Sequence, residues 1–232
     1  PIVDAAQKLQ AVGDATLFVA DALDAQTLNL ARGGARALAA LCAGAFKDGV
    51  RTPFRVSLQA ALSATPRLLA YAAARALQPQ PDRSAPPHAA RQVAASRAPH
   101  LALATALADL NACAAKLDPE LGGDAALSSA TFLRAALDAT RPASQLLSEN
   151  QATVPPRKAC VTIVQSTIVV GRAACQGRGA QSAALDLCAL LLDHCALLSR
   201  NAQYAPDLLP PLLDTTRRLL VDRWAAFVRR PT

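Results

Sequence analysis

Alanine and leucine run from one end of this chain to the other, and that bias leaves it little to fold into except closely packed helices. Alanine alone supplies about a quarter of the residues, and both types rank near the top of helix propensity. Hydrophobic residues make up 52% of the sequence but aromatics only 3%. A core built from such small and aliphatic side chains draws its backbones close together. At 232 residues the chain can bury that core without a metal or a disulfide.

Proline, glycine and capping residues divide the sequence into elements. Spacing predicts a first helix over 2–23, with Ile2, Ala5, Leu9, Val12, Thr16, Val19 and Leu23 on one face. A second follows over 27–46, capped by Thr27 and striped by Leu30, Gly34, Ala37, Leu41 and Phe46. Gly33 and Gly34 inside it predict a close backbone approach or a kink. Thr52 and Pro53 open a third helix that runs to Leu77 and should bend at Pro66. Further helices are expected over 89–117, 124–147, 157–175 and 180–200. The last begins after Asp207, with Pro210 and Pro211 in its first turn. The 157–175 segment is rich in Val, Ile and Thr, so a strand competes with the helix there.

Four prolines fall between Pro79 and Pro87, which no helix interior tolerates. They predict an N-terminal helical subdomain over 1–78, a Pro-rich linker over 79–87 and a C-terminal helical subdomain over 88–232. The expected fold is all-α, with seven to eight antiparallel helices. They form either an irregular α-solenoid or paired up-and-down bundles, since the helix starts keep no fixed period. No motif singles out a family.

Composition narrows the function classes. The net charge is +7, which suits an acidic partner, but basic residues nowhere cluster as they do in nucleic-acid arms. The strongest apolar run, 161–170, is too short to span a bilayer and is interrupted by Gln165 and Ser166. The six cysteines are scattered among Ala, Leu and Val, as buried thiols are. Cys188 and Cys195 lie two helical turns apart, about 10.5 Å, and cannot pair. An intracellular, reducing setting, the cytoplasm, is therefore expected. The chain starts at Pro1 and has no Met, which points to a fragment or a processed form.

Residues that carry chemistry do not converge. His88, His100 and His194 sit on different segments. His194 adjoins Asp193 and Cys195, but neighbouring helical residues point about 100° apart, so a core or rim histidine is expected rather than a ligand. Gly171-Arg172 and Gly177-Arg178-Gly179 lack the spacing of a phosphate loop, and no carboxylate pair has metal or acid-base spacing. Neither a catalytic residue nor a cofactor or metal is expected.

The last helix is the remaining candidate. Its apolar stripe, Leu212, Leu213, Leu219, Leu220, Trp224, Phe227 and Val228, should anchor it on the core, with Trp224 and Phe227 completing the line from Leu213 and Leu220, while its arginines face water; an exposed docking surface is the competing reading. Candidate partner-binding residues are Arg217, Arg218, Arg223, Trp224 and Phe227, with Asp214 and Asp222 partly neutralising the arginines. The expected function is a non-catalytic helical scaffold or adaptor. Its partner would be another protein, presented as a helix or extended peptide. The alternative is binding of an anionic surface, RNA or acidic lipid, through distributed arginines.

Overall fold

The computed structural model describes residues 2–15, 23–43, 52–77, 86–117, 184–200 and 205–228, together with short pieces at 131–132, 134–135, 138, 161–165 and 168; the side chains of 222–228 lie outside that description. Its continuous helices are α1 (Ile2–Ala15), α2 (Ala25–Ala43), α3 (Thr52–Ala76), α4 (Pro87–Lys116), α5 (Ala184–Ser199) and α6 (Ala205–Val228). The short pieces are helical as well, and no strand occurs among the described residues. Residues 161–165 and 168 thus resolve the competition between strand and helix in favour of helix. The 124–130 opening of the expected fifth helix lies outside the described residues.

The principal packing partners of α1 are α2 and α3, and those of α4 are also α2 and α3, while α5 packs on α6. Thr65 pairs with Asn111, and Tyr71 lies against His100. Sequence number rises along α3 as it falls along α4, so these two helices are antiparallel. Leu58, Leu62 and Leu69 of α3 share one buried cluster with Leu103, Leu107 and Leu110 of α4, and with Leu9, Leu38 and Phe132. The proline-rich segment between α3 and α4 therefore connects two helices of one core; its residues 79–85 lie outside the described ones. A second cluster joins Ala73, Ala76 and Leu77 at the end of α3 to Ile163, Val164, Leu191, Leu198, Leu212 and Leu219.

Local chemistry corrects two helix starts. Asp24, not Thr27, caps α2: its carboxylate accepts the Thr27 amide at 2.6 Å and its carbonyl accepts the Leu28 amide at 3.1 Å. Hydrogen bonds from Thr27 hold the Asp24 carboxyl below the usual carboxylate range. In α6, Pro210 and Pro211 stand inside the helix rather than in its first turn, because the helix begins at Ala205.

Two stripes are also out of phase with the expectation. The second helix buries Leu28, Ala31, Gly34, Ala35, Leu38 and Cys42, leaving Leu30 exposed. Gly34 is in the packed face, whereas a Cβ added at Gly33 would meet nothing within 4 Å. The last helix buries Leu208, Leu212, Thr215, Thr216 and Leu219, while Leu213 and Leu220 are exposed. Of the expected stripe, Leu212 and Leu219 are thus core anchors and Leu213 and Leu220 are not.

Pro66 sits deep in α3, where it can offer no amide hydrogen to the Leu62 carbonyl. The hydroxyl of Thr65 takes that role, donating to Leu62 O at 2.8 Å. Asn111 of α4 in turn donates to Thr65 Oγ1 and to Leu107 O, each at 2.9 Å. A polar relay in the middle of an aliphatic interface satisfies the helix that the proline interrupts.

Candidate functional site

Two places hold chemistry that packing alone does not require. The first is the outer face of α6. Leu213, Leu220 and Val221 are 45%, 45% and 56% exposed, and with Arg217 they fall at i, i+4, i+7 and i+8, one side of a helix. Among the described residues the other exposed large apolar ones, Leu30, Val56 and Leu192, sit one each on α2, α3 and α5, and isolated exposure of that kind is ordinary. Three within two turns form a patch.

The patch carries two of the arginines singled out in the sequence. Arg217 reaches Asp214 Oδ1 at 3.3 Å and Arg218 reaches Asp214 Oδ2 at 2.9 Å, so two guanidinium groups share one carboxylate. Desolvation raises the Asp214 carboxyl, but the hydrogen bonds and charges of the two arginines more than reverse this and hold it below its ordinary value. Exposed pairs of this spacing contribute little to stability, which leaves the arginines available to an incoming carboxylate. Arg223, Trp224 and Phe227 lie in the helical stretch, and their side chains are outside the described residues.

The second place was missed in the sequence: a polar seam where the end of α3 meets the start of α4. The His100 ring lies 5.7 Å from that of Tyr71 at a tilt of 48°. The Tyr71 hydroxyl accepts the Leu23 amide at 2.6 Å, and the Arg75 guanidinium stands 5.8 Å from the Tyr71 ring centre. His100 Nδ1 is 2.8 Å from the Ser96 carbonyl, so the hydrogen must be on Nδ1 and the lone pair on Nε2. Nε2 is buried without a hydrogen-bond partner. Burial pushes His100 below its usual value; the Ser96 bond opposes this in part, and the charge of Arg75 adds a smaller lowering. Arg97, one turn earlier, is buried as well, and desolvation lowers it too. The seam ties the chain just before α2 to α3 and α4.

Several further titratable groups among the described residues are buried in the core. His194 is buried, as expected of a core histidine, and Cys188 and Cys195 lie in the same second cluster. Burial, with Cys113 adding to it, pushes the Cys42 thiol up to about 12. Thiols so shifted are poor nucleophiles. Among the described residues, no group of three or more His, Cys, Asp or Glu side chains is placed to hold a metal ion, and no described helix is long and apolar enough to cross a membrane. Compared with known proteins, the chain matches no family model, no curated protein and no solved structure.

Proposed function

We propose that the protein is a non-catalytic helical scaffold or adaptor that binds another protein through the outer face of α6. The observation that carries this reading is the Leu213, Leu220 and Val221 patch, exposed in a chain whose largest fully buried side chains are nearly all leucines. The pairing of α1 with α3 and of α2 with α4 favours helical hairpins stacked side by side, as in an irregular α-solenoid. An up-and-down bundle would instead set α2 beside α3. Such a stack offers long helical faces to a partner. The thiols at Cys42, Cys113 and Cys195 are free, which suits a reducing cytoplasm.

Affinity capture from cell extract, with the wild type and Leu220→Asp compared in parallel, tests the reading. The expected result is a protein partner recovered by the wild type, lost in the variant, and retained nearly as well at about 200 mM as at about 50 mM salt. Capture that is nuclease-sensitive and falls steeply with salt would replace it with the anionic-surface alternative. Equal recovery by both proteins would move the binding face away from α6.

A further inference from the structure

We infer that the α6 patch is built for an acidic amphipathic helix, one that sets a carboxylate between two apolar anchors and directs it at Arg217. The inference rests on the docking role proposed above and names the chemistry of the partner. Arg217 stands between Leu213 and Leu220, three residues from the latter and four from the former, so any surface that covers both leucines also covers the guanidinium. Its side chain is 71% exposed and its bond to Asp214, at 3.3 Å, is long and shared with Arg218. Among the described residues the cation in the middle of the patch thus has one acidic partner, and shares it.

That central charge discriminates among possible occupants. A second copy of α6, packed antiparallel so that Leu213 meets Leu220 of its partner, would set Arg217 against Arg217; parallel packing in register does the same. Like charges brought together at the centre of an apolar contact oppose both arrangements. A purely apolar helix would bury the guanidinium without an acceptor. An anionic membrane draws its attraction from the number of basic residues, and among its described residues the patch offers two, Arg217 and Arg218, both paired with Asp214. A helix with Leu or Ile about two turns apart and Glu or Asp midway satisfies every group. Its apolar residues cover Leu213, Leu220 and Val221, and its carboxylate accepts both arms of the Arg217 fork.

A phage-displayed library of amphipathic helices, randomised over one face and selected on the immobilised full chain, tests this directly. Selection should enrich Asp or Glu midway between two apolar positions. As free peptides, such clones should bind at least about tenfold more tightly than their Gln counterparts, a difference of about 1.4 kcal/mol. Selection on Arg217→Glu should enrich Lys or Arg at the same place, and Arg217→Gln, which replaces no charge with its opposite, should erase the preference if the first variant melts early. Enriched helices that need Leu213 and Leu220 but show no charge preference opposite Arg217 would overturn the inference and leave the docking role standing. Clones that bind a Leu213→Ala/Leu220→Ala double variant as well as the wild type, or no enrichment at all, would overturn both. Sedimentation of the protein with phosphatidylserine-containing vesicles, lost in Leu220→Ala, would assign the patch to lipid and overturn the inference.

Discussion

Replacing Thr65 with Val removes one hydroxyl and little volume, yet it should destabilise the protein by about 2–4 kcal/mol. The figure combines two lost hydrogen bonds, about 1 kcal/mol each, with the cost of leaving buried groups on Leu62 and Asn111 short of a partner. Both bonds are short and fully enclosed: Thr65 to Leu62 O at 2.8 Å and Asn111 to Thr65 at 2.9 Å. For a chain of this size such a loss lowers the thermal midpoint by about 4–16 °C, read as the helical circular-dichroism signal on heating. The sharper test is a double-mutant cycle with Pro66→Ala. Alanine restores an amide hydrogen at position 66, and that hydrogen can bond the Leu62 carbonyl in ordinary helical fashion. Thr65→Val should then cost only about 1–2 kcal/mol in the Pro66→Ala background, a coupling of about 1–2 kcal/mol. If the cost is the same in both backgrounds, the threonine is not standing in for the amide that proline lacks.

Three further outcomes follow from the same packing. His100 resists protonation in the folded chain but not in the unfolded one, so the unfolded state takes up more protons as pH falls through its value near 6.5; urea midpoints should drop between about pH 7.5 and about pH 5.5, and the drop should shrink in His100→Gln. A drop of unchanged size in that variant would assign the acid sensitivity to another group. Leu212→Ala should cost about 2–5 kcal/mol, whereas Leu213→Ala, its exposed neighbour, should leave the melting midpoint nearly where it was; similar losses for both would mean that α6 is rotated from the register described above. Gly33→Ala should raise stability by about 0.5–1 kcal/mol, because the position is exposed, helical and open around a new Cβ, and a loss there would mean that something meets that face of α2.

The all-helical character was legible because propensity, periodicity and proline placement all pointed one way. Segments 2–15, 52–77 and 184–200 lie inside expected helices for that reason. Helix starts were less legible where two residues could cap. Asp24 and Thr27 are both good N-caps, and only the structure shows the Asp24 carboxylate taking the Thr27 amide. The proline-rich run after Leu77 was legible as an interruption of helix, but not as a connection within one core. Composition marks where a helix must stop; it carries no information on whether the flanking helices then pack on each other, as α3 and α4 do through Leu62, Leu69, Leu103 and Leu107.

The candidate site was half legible, and the reason lies in threonine. Counting leucines on α6 puts Leu212, Leu213, Leu219 and Leu220 in one apolar stripe and does not say which pair is buried. The structure buries Thr215 and Thr216 beside Leu212 and Leu219, and the threonine hydroxyls explain how: they bond back to the carbonyls of Pro211 and Leu212 at 2.8 and 2.9 Å. With the polar atom satisfied inside its own helix, each threonine presents its methyl group to the core and costs little to enclose. That choice turns the helix and carries Leu213, Leu220 and Val221 outward together with Arg217. Two adjacent threonines one turn after a proline pair were the signal available in the sequence. Hydrophobic periodicity discounts it, because it scores threonine by residue type rather than by whether its hydroxyl has a local acceptor. The same substitution of local for long-range satisfaction hides the Thr65–Pro66 relay in α3. The outward face of α6 and the relay around Pro66 in α3 are thus two consequences of one physical rule: a helical threonine that bonds its own backbone behaves in the core as an apolar residue.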